Sequence, residues 1–131
     1  MNEFKIEIPS KIELINPVIE ALSSICDELL LDDDKKWALE ISLREALANA
    51  IVHGNKKDPS KQIFIDFLWD KKTFTIIIED EGKGFIPSKD EIKPSLETSG
   101  RGMMIIKSKM DSVEYKKGNM GFKLILKKTI K

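Results

Sequence analysis

The chain has 131 residues, 41% hydrophobic and 34% charged, which fits one soluble globular domain with one core and excludes a disordered chain. A domain of this size buries roughly two-thirds of the surface its unfolded chain exposes, so it needs no disulfide or metal staple. The 22 basic residues balance 22 acidic ones, leaving no global charge to draw in nucleic acid or an anionic membrane.

A single cysteine, Cys26, excludes an internal disulfide, and with a single histidine there is no zinc-ligand cluster. Ile25, Leu29 and Leu30 around Cys26 make it a buried thiol on an apolar helix face rather than a reactive one. The N-terminus lacks a charged segment followed by an apolar one, and no apolar run approaches spanning length. A cytoplasmic location is the default expectation, with residues 1–131 as a single domain.

In chain order, Phe4, Ile6 and Ile8 alternate with charged residues as in a half-buried strand that Pro9 and Ser10 end. Ser10 with Glu13 predicts a capping box. Between Lys11 and Leu31, the residues Ile15, Val18, Ile19, Leu22, Ile25, Cys26 and Leu29 form one apolar helical stripe. Pro17 then suits the first position of a helix starting at Asn16. Asp32 to Asp34 supply cap candidates for a second helix, from about Lys35 to His53, with Gly54 and Asn55 as stop signals.

Two strands follow, through Ile63, Ile65 and Phe67 and then Phe74 to Ile78, joined at Asp70 to Lys72. A glycine-rich turn runs from Asp80 to Gly84. Residues 86–99 read as a loop, where Ser88 with Glu91 can cap a short helix. A helix opens at Gly100 to Gly102 and ends near Met110, with Met103 and Met104 expected in the core. The last strands are Ser112–Tyr115 and Phe122–Lys127, turning at Gly118 and Asn119. Strands and helices in this uneven order predict an α+β fold: a two-layer sandwich with helices on one face of a mixed, mostly antiparallel sheet.

Three segments carry chemistry. Glu45, Asn49 and His53 are four apart and share one helical face, while Leu47, Ala50 and Ile51 make the other side apolar. A carboxylate and an amide on such a helix are costly unless paired or coordinating something; the alternative is a solvated face. Asp80-Glu81-Gly82-Lys83-Gly84-Phe85 follows an Ile-rich strand, and its glycines let backbone approach a ligand while Asp80 offers an acceptor for an exocyclic amine. The alternative there is a plain turn. Ser99-Gly100-Arg101-Gly102 opens a helix, where free backbone N–H groups and Arg101 suit an anion; the alternative is a glycine-capped helix start.

Taken together, their order and spacing resemble the N, G1 and G2 boxes of the GHKL (Bergerat-fold) ATPases, and most of all the bacterial anti-sigma-factor serine/threonine kinases of partner-switching systems. The narrower resemblance rests on Glu45-x-x-x-Asn49-Ala-x-x-His53-Gly54-Asn55, Asp80-x-Gly82-x-Gly84-Phe85, Gly100-Arg101-Gly102 and Met110-Asp111-x-Val113-x-Tyr115.

That resemblance implies a serine/threonine kinase using ATP and Mg²⁺. In it Glu45 is the general base and Asn49 the magnesium ligand, and Asp80 holds the adenine amino group. Gly82 and Gly84 lie against the base, residues 86–99 form a lid, and Gly100, Arg101 and Gly102 hold phosphate. His53 has a structural role at the helix end. The implied partners are a STAS-domain anti-sigma-factor antagonist and a sigma factor, with the chain as a homodimer that contacts neither nucleic acid nor membrane. The C-terminal lysines then read as a solvated sheet edge. Relatives often carry Thr after the glycine of the last hairpin, to bind adenine through water; here Phe122 follows Gly121. A binding module that sequesters a sigma factor without phosphoryl transfer is the rival expectation.

Overall fold

The computed structural model describes residues 1–82 and 101–131. The expected lid, its Ser88–Glu91 cap, Gly84 and Gly100 lie outside the described residues. Five strands, β1 (Asn2–Pro9), β2 (Gln62–Trp69), β3 (Thr73–Glu79), β4 (Ser112–Lys117) and β5 (Phe122–Thr129), form one sheet in the order β1-β2-β3-β5-β4. All four pairings are antiparallel. Among the described residues, three α-helices, α1 (Ile15–Glu28), α2 (Asp33–Asn49) and α3 (Arg101–Lys109), form the second layer.

Alternation sets the core face. Ile63, Ile65 and Phe67 of β2, Phe74, Ile76 and Ile78 of β3, and Leu124 and Leu126 of β5 are buried. They meet Val18, Leu22 and Cys26 of α1, Leu39, Leu43 and Leu47 of α2, and Ile106 of α3 in one cluster. Cys26 is fully buried and its thiol is pushed up to about 12, mainly by burial, so it is an inert core residue. Met103 packs on this core, whereas Met104 is 66% exposed, against expectation. The two fall on different faces because neighbours on a helix are about 100° apart.

Helix ends differ from the sequence reading in instructive ways. No Ser10–Glu13 capping box forms: Ser10 is buried and its hydroxyl donates to the Lys61 carbonyl at 2.7 Å. A 3₁₀ turn at Ile12–Leu14 instead leads into α1 at Ile15, so Pro17 is its third residue. It remains in the first turn, where a missing N–H breaks no helical bond. At the other end Leu30 adopts φ 56°, Leu31 N–H donates to the Cys26 carbonyl and Leu30 N–H to that of Asp27, both at 3.1 Å. This is a Schellman cap with leucine where glycine is usual.

α2 is capped as expected by Asp32, whose carboxylate accepts from Lys35 N–H at 2.8 Å. It ends at Asn49, and the chain widens into a π turn over Ala50–Gly54, closed by Asn55 N–H on the Ala50 carbonyl. Gly54 is therefore not a left-handed stop; Lys56 and Lys57 take the positive φ angles. In the β2–β3 hairpin, Asp70 Oδ1 accepts from the N–H groups of Lys72 and Thr73 at 2.8 Å each, as an Asx turn requires.

Candidate functional site

The C-terminal half of α2, the π turn, the end of β3, the hairpin side of β4–β5 and the start of α3 surround one pocket of about 550 Å³, counting its open mouth. Ile78, Leu124, Phe122 and Met103 give it apolar walls, and Asn49, His53, Asp80 and Tyr115 bring polar groups to it. Such a lining suits a flat, mostly apolar ring held by a few directed polar contacts.

Asp80 is the polar anchor. It directly follows β3, and its N–H continues the sheet by donating to the Phe122 carbonyl at 2.9 Å. The residue is 5% exposed, and its Oδ1 accepts from Gly82 N–H at 2.8 Å. Burial pushes this carboxyl above the ordinary range, while the Gly82 hydrogen bond offsets part of that effect. Gly54 and Gly82 are required by space. A Cβ on Gly54 would lie 2.3 Å from Asp80 Oδ2, and one on Gly82 would lie 2.1 Å from the Gly54 carbonyl oxygen. The π turn, Asp80 and the G82 turn thus interlock with no room for a methyl group.

One helical turn or more back along α2 lies a second corner. A Cβ on Gly102 would be 3.2 Å from both Asn49 Nδ2 and Glu45 Oε1, so the first turn of α3 rests on these two side chains. Glu45 and Asn49 are half-buried, Gly102 is buried and Arg101 is exposed. Hard oxygen atoms here suit Mg²⁺, which usually binds through one or two protein oxygens plus phosphate oxygens. Among the described residues no group of three or more His, Cys, Asp or Glu could hold a metal ion.

Of the residues singled out by sequence, the structure joins Glu45, Asn49 and Gly102 at one corner and Asp80 with Gly82 at the other. His53 is exposed on the rim and is the basic residue of the last turn, which the Asn55 N–H closes on the Ala50 carbonyl. Phe122, in place of threonine, lines the pocket and stacks on Tyr115 with ring centroids 5.6 Å apart. Sequence reasoning missed the packing role of Gly54 and two supporting residues, Asn55 and Glu79. Both are buried polar groups, but their partners are up to 45 residues away, which no local pattern reveals.

A sequence model of the histidine kinase-like ATPase domain matches residues 8–128. An anti-sigma F factor of Clostridium perfringens is 32% identical over 132 residues, covering 95% of this chain and 84% of its own. One from Anoxybacillus flavithermus is 36% identical over 96 residues, covering 67% and 65%. The fold is similar to the RsbU and RsbW domains of a Mycobacterium tuberculosis protein, with TM-score 0.72 and 14% identity; the match covers 98% of this chain but 32% of that longer one. The histidine kinase domain of the Erythrobacter litoralis blue-light activated histidine kinase gives TM-score 0.59 at 14% identity, over 94% of this chain and 62% of that one.

Proposed function

Because this chain belongs to the histidine kinase-like ATPase domain family, we propose that it is an ATP-dependent serine/threonine kinase and anti-sigma factor acting on a STAS-type anti-sigma-factor antagonist. The observation that carries the ATP reading is the interlocked Gly54–Asp80–Gly82 cradle at the end of an apolar pocket, with Glu45 and Asn49 one step along α2. Relatives over nearly the whole chain named anti-sigma F factor support the partner reading.

On this proposal Asp80 accepts a hydrogen bond from the 6-amino group of adenine, and Ile78, Leu124 and Phe122 cover the ring. Guanine, with an acceptor at that position, would meet a carboxylate and be refused. Asn49 would supply an oxygen to Mg²⁺, and Gly100, Arg101 and Gly102 would hold the phosphates. Bound Mg²⁺ would neutralise charge developing on the phosphates. Glu45 accepts the proton of the partner's attacking hydroxyl as the hydroxyl oxygen bonds to the γ-phosphorus and the bond from that phosphorus to the β,γ-bridging oxygen breaks, so that ADP leaves. The chain works in the cytoplasm as a homodimer, and only the unphosphorylated antagonist displaces the sigma factor.

Incubation with γ-labelled ATP and a STAS-domain antagonist tests the activity. Label appears on a serine or threonine with the wild-type chain and falls by about 100-fold or more with Glu45→Ala, which still binds ADP. Phosphorylation at the wild-type rate by Glu45→Ala would remove Glu45 from the chemistry. Nucleotide binding with no transfer by the wild-type chain would leave a binding module.

A further inference from the structure

We propose that Asn55 is a positioning residue that presets the Asp80 turn for the base, an inference that rests on the nucleotide reading above. Asn55 is 1% exposed, so its amide must be satisfied by protein. Its Nδ2 donates to Ser10 Oγ at 2.8 Å and to the Gln62 carbonyl at 2.9 Å, and its Oδ1 accepts from Glu81 N–H at 2.8 Å. These bonds reach three separate segments: the chain just past β1, the first residue of β2, and the turn after β3. Ser10 is itself fixed on the Lys61 carbonyl, and the Glu81 carboxylate accepts from Gln62 N–H. Glu81 is therefore held through both its main chain and its side chain, and it stands between Asp80 and Gly82.

The opposite side of the same turn is supported too. Gly121 packs so closely that a Cβ there would lie 2.3 Å from the Asp80 carbonyl oxygen and 2.9 Å from that of Gly82. The buried Glu79 carboxylate fixes this hairpin by accepting from the N–H groups of Met120 at 2.5 Å and Gly121 at 3.3 Å. Asn55 itself does not line the pocket. It acts by holding Asp80 in place before a ligand arrives, so that binding need not supply the cost of ordering the turn.

Calorimetric titration of ADP into wild type, Asn55→Ala and Phe74→Leu reads this directly. Phe74 is a buried core residue at the far end of β3 and serves as a control for general destabilisation. Well below the unfolding temperature, Asn55→Ala should bind ADP at least about tenfold more weakly, and Phe74→Leu should change by less than about twofold. Wild-type affinity in folded Asn55→Ala, or an equal loss in Phe74→Leu, would overturn the proposal. Hydrogen exchange on the nucleotide-free wild-type chain tests it without a variant. A preset turn protects the Glu81 and Gly82 amides about 100-fold or more; free exchange there overturns it even if Asn55→Ala fails to fold. A wild-type chain that protects these amides yet ignores ADP would remove the nucleotide reading and leave the preset turn standing.

Discussion

Asp80 holds the central conflict at the scale of single residues. Burial raises its pKa, so folding favours the protonated form. Between the ordinary carboxylate value and the raised native one, the native chain keeps a proton that the unfolded chain has released. Stability therefore falls as pH rises through that window, and the cost stays fully present above it. Asp80→Asn removes the charge yet keeps an oxygen for Gly82 N–H. Its melting temperature without nucleotide should exceed wild type at pH 7.5, and the difference should shrink as pH is lowered through the carboxylate range. The same variant presents an amide that matches the adenine amino group poorly, so ADP affinity should fall while stability rises. Equal melting temperatures for the two proteins at pH 7.5 would mean that the carboxylate carries no buried cost. Asp80 could be singled out from sequence because its glycine-rich turn comes in order with the two other motif segments; alone it reads equally as a plain turn. Asn55 could not, since Ser10, Gln62 and Glu81 converge on it only after the sheet forms.

At the scale of elements, the sequence anticipated the five strands and three α-helices among the described residues but neither the 3₁₀ turn nor the π turn, and the element ends followed tertiary contacts. Ser10 looks like a capping residue and is instead drawn to Lys61, because pairing of β1 with β2 brings that carbonyl within 2.7 Å. The π turn after Asn49 likewise has no local signature. Gly54, its last residue, lies against the Asp80 side chain. Leu30 shows the converse, a position where sequence and geometry disagree: a leucine 89% exposed at φ 56°. Left-handed geometry costs a residue with a Cβ roughly 1–2 kcal/mol, part of which glycine forfeits through its freer unfolded chain. Leu30→Gly should raise stability by about 0.5–1 kcal/mol, read as a shift in the urea midpoint at unchanged slope. A lower midpoint would show that Leu30 contributes more by contact than its backbone costs.

Across the whole molecule, the antiparallel order β1-β2-β3-β5-β4 puts the end of β3 beside the β4–β5 hairpin and opposite the end of α2. That is why segments at residues 45–54, 80–82 and 101–103, far apart in the chain, face one pocket. The three motifs were legible in sequence through their common order and spacing, since each alone also reads as a solvated helix face, a plain turn or a glycine-capped helix start. Their supports were not, because glycines chosen for lack of a Cβ look like glycines chosen for a turn. The central claim is that this pocket is an adenine-nucleotide site, and calorimetric titration of the wild-type chain with ADP and Mg²⁺ tests it most directly. The account predicts saturable one-site binding below about 1 mM, with a melting temperature that rises with ADP concentration as mass action requires. A folded chain giving neither binding heat nor a thermal shift at millimolar ADP would contradict it.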